Sequence, residues 1–229
     1  MKLNPSHPAL FEARTIHTKM IREAQDIANV LKPASGNKKL GNGRTIISSH
    51  KWKGFPMFSL TLEERATCPT TCHHWDDCYG NNMLLAHRVR EGVALEHSLM
   101  LEVEALAHKY LRGFVIRLHV LGDFYSVRYV GFWQRLLFKF PNLHIFGYTG
   151  WDLGTDVGNA IDYTRQQYQD RFWIRHSCDQ DQNGNAIYAA EEEYNGKTFD
   201  CPEQTGLVDS CVACGLCWTT KKTVRFLTH

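Results

Sequence analysis

The apolar positions follow two periodicities, and their order along the chain sets the expected elements. Residues 8–31 carry Ile16, Met20, Ile27 and Leu31 at helical spacing, behind a Pro8 that a first helical turn tolerates. Pro33 ends that helix, and the Gly/Asn-rich stretch 35–43 reads as loop. Residues 55–62 (FPMFSLTL) read as a strand. A long helix is expected over about 82–111, with Leu85, Val89, Gly92, Leu99, Val103, Leu106 and Tyr110 at three- or four-residue steps and a break near Glu96. The run 114–121 (FVIRLHVL) is the strongest strand pattern. Helix 127–139, strand 143–148, helix 155–169 and strand 171–176 follow, and 222–228 is a closing strand. Trp133, Phe138, Phe140 and Trp173 read as core aromatics.

Alternating strands and helices predict parallel strands joined by crossover helices. The expected fold is α/β: a partial or small (β/α) barrel of parallel strands, or else a doubly wound sheet, with an N-terminal helix and a C-terminal Cys-rich segment. The expected division is 1–54 (helix and basic loop), 55–177 with 222–229 (barrel-like core) and 178–221 (Cys-rich, metal-binding). In either architecture the site lies at the C-terminal ends of the strands. The segments 68–78, 122–126, 149–152 and 176–178 each follow a strand, so all four are expected on one face.

Composition fits a globular chain: 229 residues, 43% apolar and 12% aromatic. The N-terminus has no signal-peptide pattern and no run of 18 apolar residues occurs, so no membrane contact is expected. The expected compartment is therefore the cytoplasm. Thiols are reduced there, so eight cysteines point to metal binding or catalysis rather than disulfides. The net charge of +2 hides an asymmetry: 16 basic and 11 acidic residues precede position 121, with 10 and 13 after it. Lys32, Lys38, Lys39, Arg44, Lys51 and Lys53 crowd into 32–53 without an acid. That stretch is either a solvated loop or a grip for phosphates, nucleic acid included.

The cysteines form two sets. Cys68, Cys72 and Cys78 follow C-x3-C-x5-C in one polar loop. Three thiolates hold three corners of a [4Fe–4S] cluster and leave one iron open, whereas structural zinc needs a fourth ligand such as His73 or His74. Cys201, Cys211, Cys214 and Cys217 follow C-x9-C-x2-C-x2-C, a closed set for an auxiliary iron–sulfur cluster or for zinc. Cys178 is left over, as a lone thiol, a ligand or a reactive group. Gly122 permits close backbone approach, Asp123 suits an ammonium, and Asp123 or Ser126 can instead cap helix 127–139. Arg117 and His119 alternate along one strand and are expected on the same side, to bind an anionic group or to serve the structure. Tyr148 with Thr149, and Arg175 with His176, end later strands. His119 and Asp123 together can bind a divalent metal, as in a nuclease or other hydrolase.

The loop TCPTTCHHWDDCYG (67–80) after the first strand resembles the radical S-adenosylmethionine superfamily. Its usual spacing is C-x3-C-x2-C, and the second gap here is longer. Cys78-Tyr79-Gly80 is similar to a Cys-Tyr-Ala ending, and HVLGDFYS (119–126) resembles the Gly-Gly-Glu region. The resemblance implies that the open iron chelates the methionine amine and carboxylate, and that an electron cleaves the sulfonium to a 5′-deoxyadenosyl radical. It implies a reductant such as flavodoxin or ferredoxin, and cofactor contacts at Tyr79, Gly122, Asp123, Ser126 and Thr149. Arg117, His119, Asp123, Arg175 and Cys178 are the catalytic candidates. The order KKLG, TCP…CY, HVLGDFYS, FGYTG and CPEQTG…CGLCW resembles the phage gene-product-88 family over about 35–228. Three readings stay open: a radical S-adenosylmethionine-like enzyme, a zinc- or iron–sulfur-stabilised nucleic-acid-binding protein without catalysis, and a metal-dependent hydrolase.

Overall fold

The structure, a computed structural model, describes residues 1–178, 186–189 and 198–227, without the side chains of 178 and 186–189. Among the described residues eight strands make the main sheet: β1 (Lys32–Pro33), β2 (Met57–Ser59), β3 (Phe114–Leu118), β4 (Leu143–Thr149), β5 (Phe172–Cys178), β6 (Ala186–Ala189), β7 (Thr198–Asp200) and β8 (Thr223–Leu227). Their order is β1-β2-β3-β4-β5-β6-β8-β7, antiparallel only between β1 and β2. From β2 to β6 each strand lies beside its successor. The helices α1 (Val93–Lys109), α2 (Val127–Lys139) and α3 (Asp156–Gln167) cross over between β2 and β3, β3 and β4, and β4 and β5. The order ends at β1 and β7, which do not pair with each other among the described residues, so the sheet is open and parallel-rich rather than a closed barrel.

Strand alternation sorts side chains into two layers. Phe114, Ile116, Leu118, Leu143, Ile145, Phe172 and Ile174 face one way. They pack with Leu99 and Val103 of α1, Val130 and Trp133 of α2 and Ile161 of α3. Ser126 and Thr155 cap α2 and α3 by accepting the Tyr129 and Gly158 N–H groups, each at 3.1 Å. The opposite face carries Met57, Val115 and Phe146 beneath Leu40, Ile47, Trp52, Val212 and Trp218. That layer joins the basic loop to the cysteine tail: the N–H groups of Cys211 and Val212 donate to the carbonyls of Lys39 and Leu40, each at 2.9 Å.

Several expectations are corrected. Of the expected helix 8–31 only Pro8–Phe11 is α-helical, with single 3₁₀ turns at Thr18–Met20 and Ala24–Asp26, and Ala13 turns the chain with φ 51°. The amides that a helix needs are used elsewhere: Thr15 N–H donates to Glu63, and Val30 and Leu31 N–H donate to the Glu102 carboxylate at 2.6 and 2.9 Å. The helix expected from 82 starts only at Val93, because Gly92 has φ 130° and Arg88–Val89 pairs as a short strand with Ile21–Arg22. It then runs unbroken past Glu96. Phe138 is 82% exposed rather than core. The strands at 186–189 and 198–200 have no counterpart in the expected elements.

Candidate metal and cofactor sites

Asp123 is the hub of the first site. Gly122, at φ 78°, ends the turn after β3, and a side chain there would strike Thr67 and Leu62. The Asp123 carboxylate accepts from Phe124 N–H at 2.7 Å and from Gly150 N–H, just past β4, at 2.6 Å. Its own N–H donates to Thr67 Oγ1 at 3.0 Å, which ties the turn to the start of the cysteine loop. A Cβ built on Gly150 would stand 3.6 Å from Asp123 Oδ2 and 3.7 Å from Cys72 Sγ. Carboxylate, thiol and bare glycine therefore converge at the C-terminal ends of β3 and β4. Burial pushes Asp123 up to about 7, against the hydrogen bonds from Gly150, Phe124 and Thr149 and the Arg117 charge.

Burial likewise raises Cys68, Cys72 and Cys78, the last to about 11; the Asp123 charge adds to it at Cys68 and Cys72, that of Glu64 at Cys78, and those of Cys72 and Cys78 at Cys68. The three thiols and Asp123 thus form one electrostatic group, whose ionisation a cation would favour. Among the described residues no three His, Cys, Asp or Glu side chains are already set around a single ion. Three thiols are the number of donors that three corners of a cluster would require. His74 meets Asp77 through Nδ1 at 2.8 Å. Tyr79 is exposed, Ser126 serves as the α2 cap, and Thr149 Oγ1 accepts the Trp151 N–H at 3.1 Å.

Beneath the loop lies a network that motif reading missed. Arg88 and Glu64 form a bidentate pair at 2.7 and 3.1 Å, with both side chains essentially without exposure. Arg88 also donates to the carbonyls of Gly80, Met83 and Ala86, so it grips the chain just after Cys78. Arg65 donates to Trp75 O at 2.8 Å and to Asn81 Oδ1 at 2.7 Å. Acids beside a cysteine loop, and an arginine some 20 residues on, form no recognisable spacing.

The tail site lies on the second face of the sheet. Cys201 follows β7 and donates its N–H to Arg225 O at 2.9 Å. Cys211–Cys214 is one helical turn, closed by Gly215 at φ 72°. After burial, the charges of Cys217 and Cys201 raise both Cys211 and Cys214, so the four thiols share one neighbourhood. Tyr148 O–H donates to Cys217 Sγ at 2.9 Å. Arg175 donates to the carbonyls of Cys217, Thr220 and Lys222 and so holds the tail to β5.

Arg117 and His119 are not on the same side. The strand ends at Leu118, and the turn beyond it breaks the alternation. Arg117 lies over Tyr148 and Phe146, whereas His119 packs on Phe124 and Tyr129 of the helix layer. Burial holds His119 down to about 3. Its unfolded form binds a proton near pH 6.5 that the folded form refuses, so folding stability falls as pH drops from about 6.5 toward 3. We expect a slope of up to about 1.4 kcal/mol per pH unit, flattened in His119→Phe, from urea unfolding at stepped pH. His176 meets Trp151 O through Nδ1 at 2.8 Å. The side chain of Cys178 lies outside the described residues.

The basic stretch is partly neutralised inside the fold. Lys39, Arg44 and Lys51 pair with Glu203, Asp209 and Asp170. No helix among the described residues is long and apolar enough to cross a membrane.

Fold and sites together define a parallel-rich α/β protein with a cysteine loop at its strand ends and a second cysteine set on its sheet. A family model described as Gene product 88 matches residues 28–220, and the chain belongs to that family. The Gene 88 protein of Mycobacterium phage L5 is 26% identical over 136 residues, 50% of this chain and 54% of that protein. The chain thus spans about half the length of that curated relative. No solved structure matches.

Proposed function

We propose that the chain is an iron–sulfur enzyme of the radical S-adenosylmethionine type. The observation that carries this reading is the meeting of Cys72, Asp123 and Gly150 at the ends of successive parallel strands, with Cys68 and Cys78 in the same group. Cys68, Cys72 and Cys78 would hold the cluster. When bound, cluster and S-adenosylmethionine supply one-electron reductive cleavage of the sulfonium. Asp123 receives the cofactor's ammonium, and the absent side chain at Gly150 leaves room for it. Cys201, Cys211, Cys214 and Cys217 hold a second metal centre, iron–sulfur or zinc, that fastens tail to sheet.

The pairing of Lys39, Arg44 and Lys51 leaves fewer cations in 32–53 for a phosphate-bearing substrate, so nucleic-acid binding without catalysis is the weaker reading. The enclosure of His119 by Phe124 and Tyr129 gives a hydrolase using His119 and Asp123 no support. The test is anaerobic incubation of iron-loaded protein with S-adenosylmethionine and dithionite. We expect 5′-deoxyadenosine, its loss in Cys72→Ser, and weaker cofactor binding in Asp123→Asn. Iron-loaded protein that forms no 5′-deoxyadenosine would contradict the enzyme reading.

A further inference from the structure

Arg117 sits in the tail-site layer without a carboxylate in salt-bridge range among the described residues. Its Nη1 donates to the carbonyls of Leu118 and His119, the latter at 3.0 Å, while Nε and Nη2 have no hydrogen-bond partner among the described residues. The guanidinium lies 4.9 Å from the Tyr148 ring centre and 5.6 Å from that of Phe146. Tyr148 in turn donates its hydroxyl to Cys217. Burial opposes the charge of Arg117, and the neighbours whose ionisation would favour it are Tyr148, Cys211 and Cys217, ahead of Asp123. A half-buried cation without a carboxylate is costly unless another anion compensates it. Four thiolates around a divalent ion, or around a doubly charged cluster, leave on the order of two negative charges, which is such an anion.

We propose that Arg117 is the built-in counter-charge of the tail site, and that with the Tyr148 hydroxyl it retains a metal centre made net negative by Cys201, Cys211, Cys214 and Cys217. This rests on reading those four cysteines as metal ligands. Arg117 is a positioning and charge-balancing residue, since it donates no ligand atom. Its charge reaches the tail through Tyr148, whose ring it overlies and whose hydroxyl donates to Cys217.

The test uses the full chain with Cys68, Cys72 and Cys78 all replaced by serine, so that only the tail site binds. Zinc alone is titrated against a competing chelator, and iron with sulfide is reconstituted anaerobically in parallel. Arg117→Met is expected to weaken zinc binding about 10- to 100-fold, the usual range for loss of an outer partner. Arg117→Lys, which keeps the charge, is expected to recover most of it, and Tyr148→Phe to show a smaller loss in the same direction. Because Arg117→Met can also disturb folding, the Lys and Phe variants separate charge from packing. Equal zinc affinity in Arg117→Met and the parent overturns the counter-charge proposal while the metal site stands. A parent that holds neither zinc nor iron overturns the metal reading of the tail and this proposal with it.

Discussion

Methionine in place of Arg88 is expected to cost about 3–5 kcal/mol of folding stability, the range for breaking a buried ion pair from one side. The side chain has no measurable exposure, and each of its guanidinium nitrogens is engaged: two on Glu64 and the rest on main-chain carbonyls. Without it the Glu64 carboxylate stays buried with the Thr15 hydroxyl at 2.7 Å. A double variant, Arg88→Met with Glu64→Leu, removes both charges and is expected to recover part of the loss. Urea unfolding of the four proteins measures this, and a loss under about 1 kcal/mol in Arg88→Met would contradict it. Because Arg88 also holds the carbonyls of Gly80 and Met83, the same variant should loosen the far end of the cysteine loop and lower metal retention by Cys68, Cys72 and Cys78.

Trp218→Ala is expected to cost about 3–5 kcal/mol, the range for emptying a buried aromatic site. Trp218 is 1% exposed, stacks on Trp52 with ring centres 5.5 Å apart, and meets Phe146 of β4 at 4.5 Å. It is a contact at which the tail, the basic loop and the sheet meet, and it directly follows Cys217. Trp52→Ala should be less than additive with it, since each substitution removes the same stack. Thermal and urea unfolding report the losses, and additive small effects would mean that the tail does not depend on this stack. We expect metal retention by the tail site to fall together with stability.

Legibility in the sequence followed local sufficiency. Strands β3 to β5 and helices α2 and α3 have long, clean apolar patterns that neighbours reinforce, and their limits came within a residue or two, except that β3 ends at Leu118 where 121 was expected. The segment 8–31 shows helical spacing too, but its amides are claimed by Glu63 and Glu102, and no periodicity announces a distant carboxylate. Phe138 satisfied a core pattern yet lies outward on α2. The strands 186–189 and 198–200 are too short to carry a pattern against polar flanks. The two cysteine sets were legible from spacing, as was the turn Gly122–Asp123. What escaped was everything set by tertiary pairing: the Arg88–Glu64 grip, the neutralisation of the basic stretch, and the separation of Arg117 from His119 by the end of β3.

The central claim is that the two cysteine sets are separate metal sites, the first holding an iron–sulfur cluster. Iron, zinc and acid-labile sulfide per chain after anaerobic purification test it most directly, on the natural sequence and on serine variants of each set. The account predicts iron with sulfide in the natural chain. It predicts loss of one cluster's iron and sulfide when Cys68, Cys72 and Cys78 are replaced, and retention of that cluster when Cys201, Cys211, Cys214 and Cys217 are replaced. Anaerobic protein with neither iron nor sulfide, or a metal content untouched by replacing Cys68, Cys72 and Cys78, would contradict it.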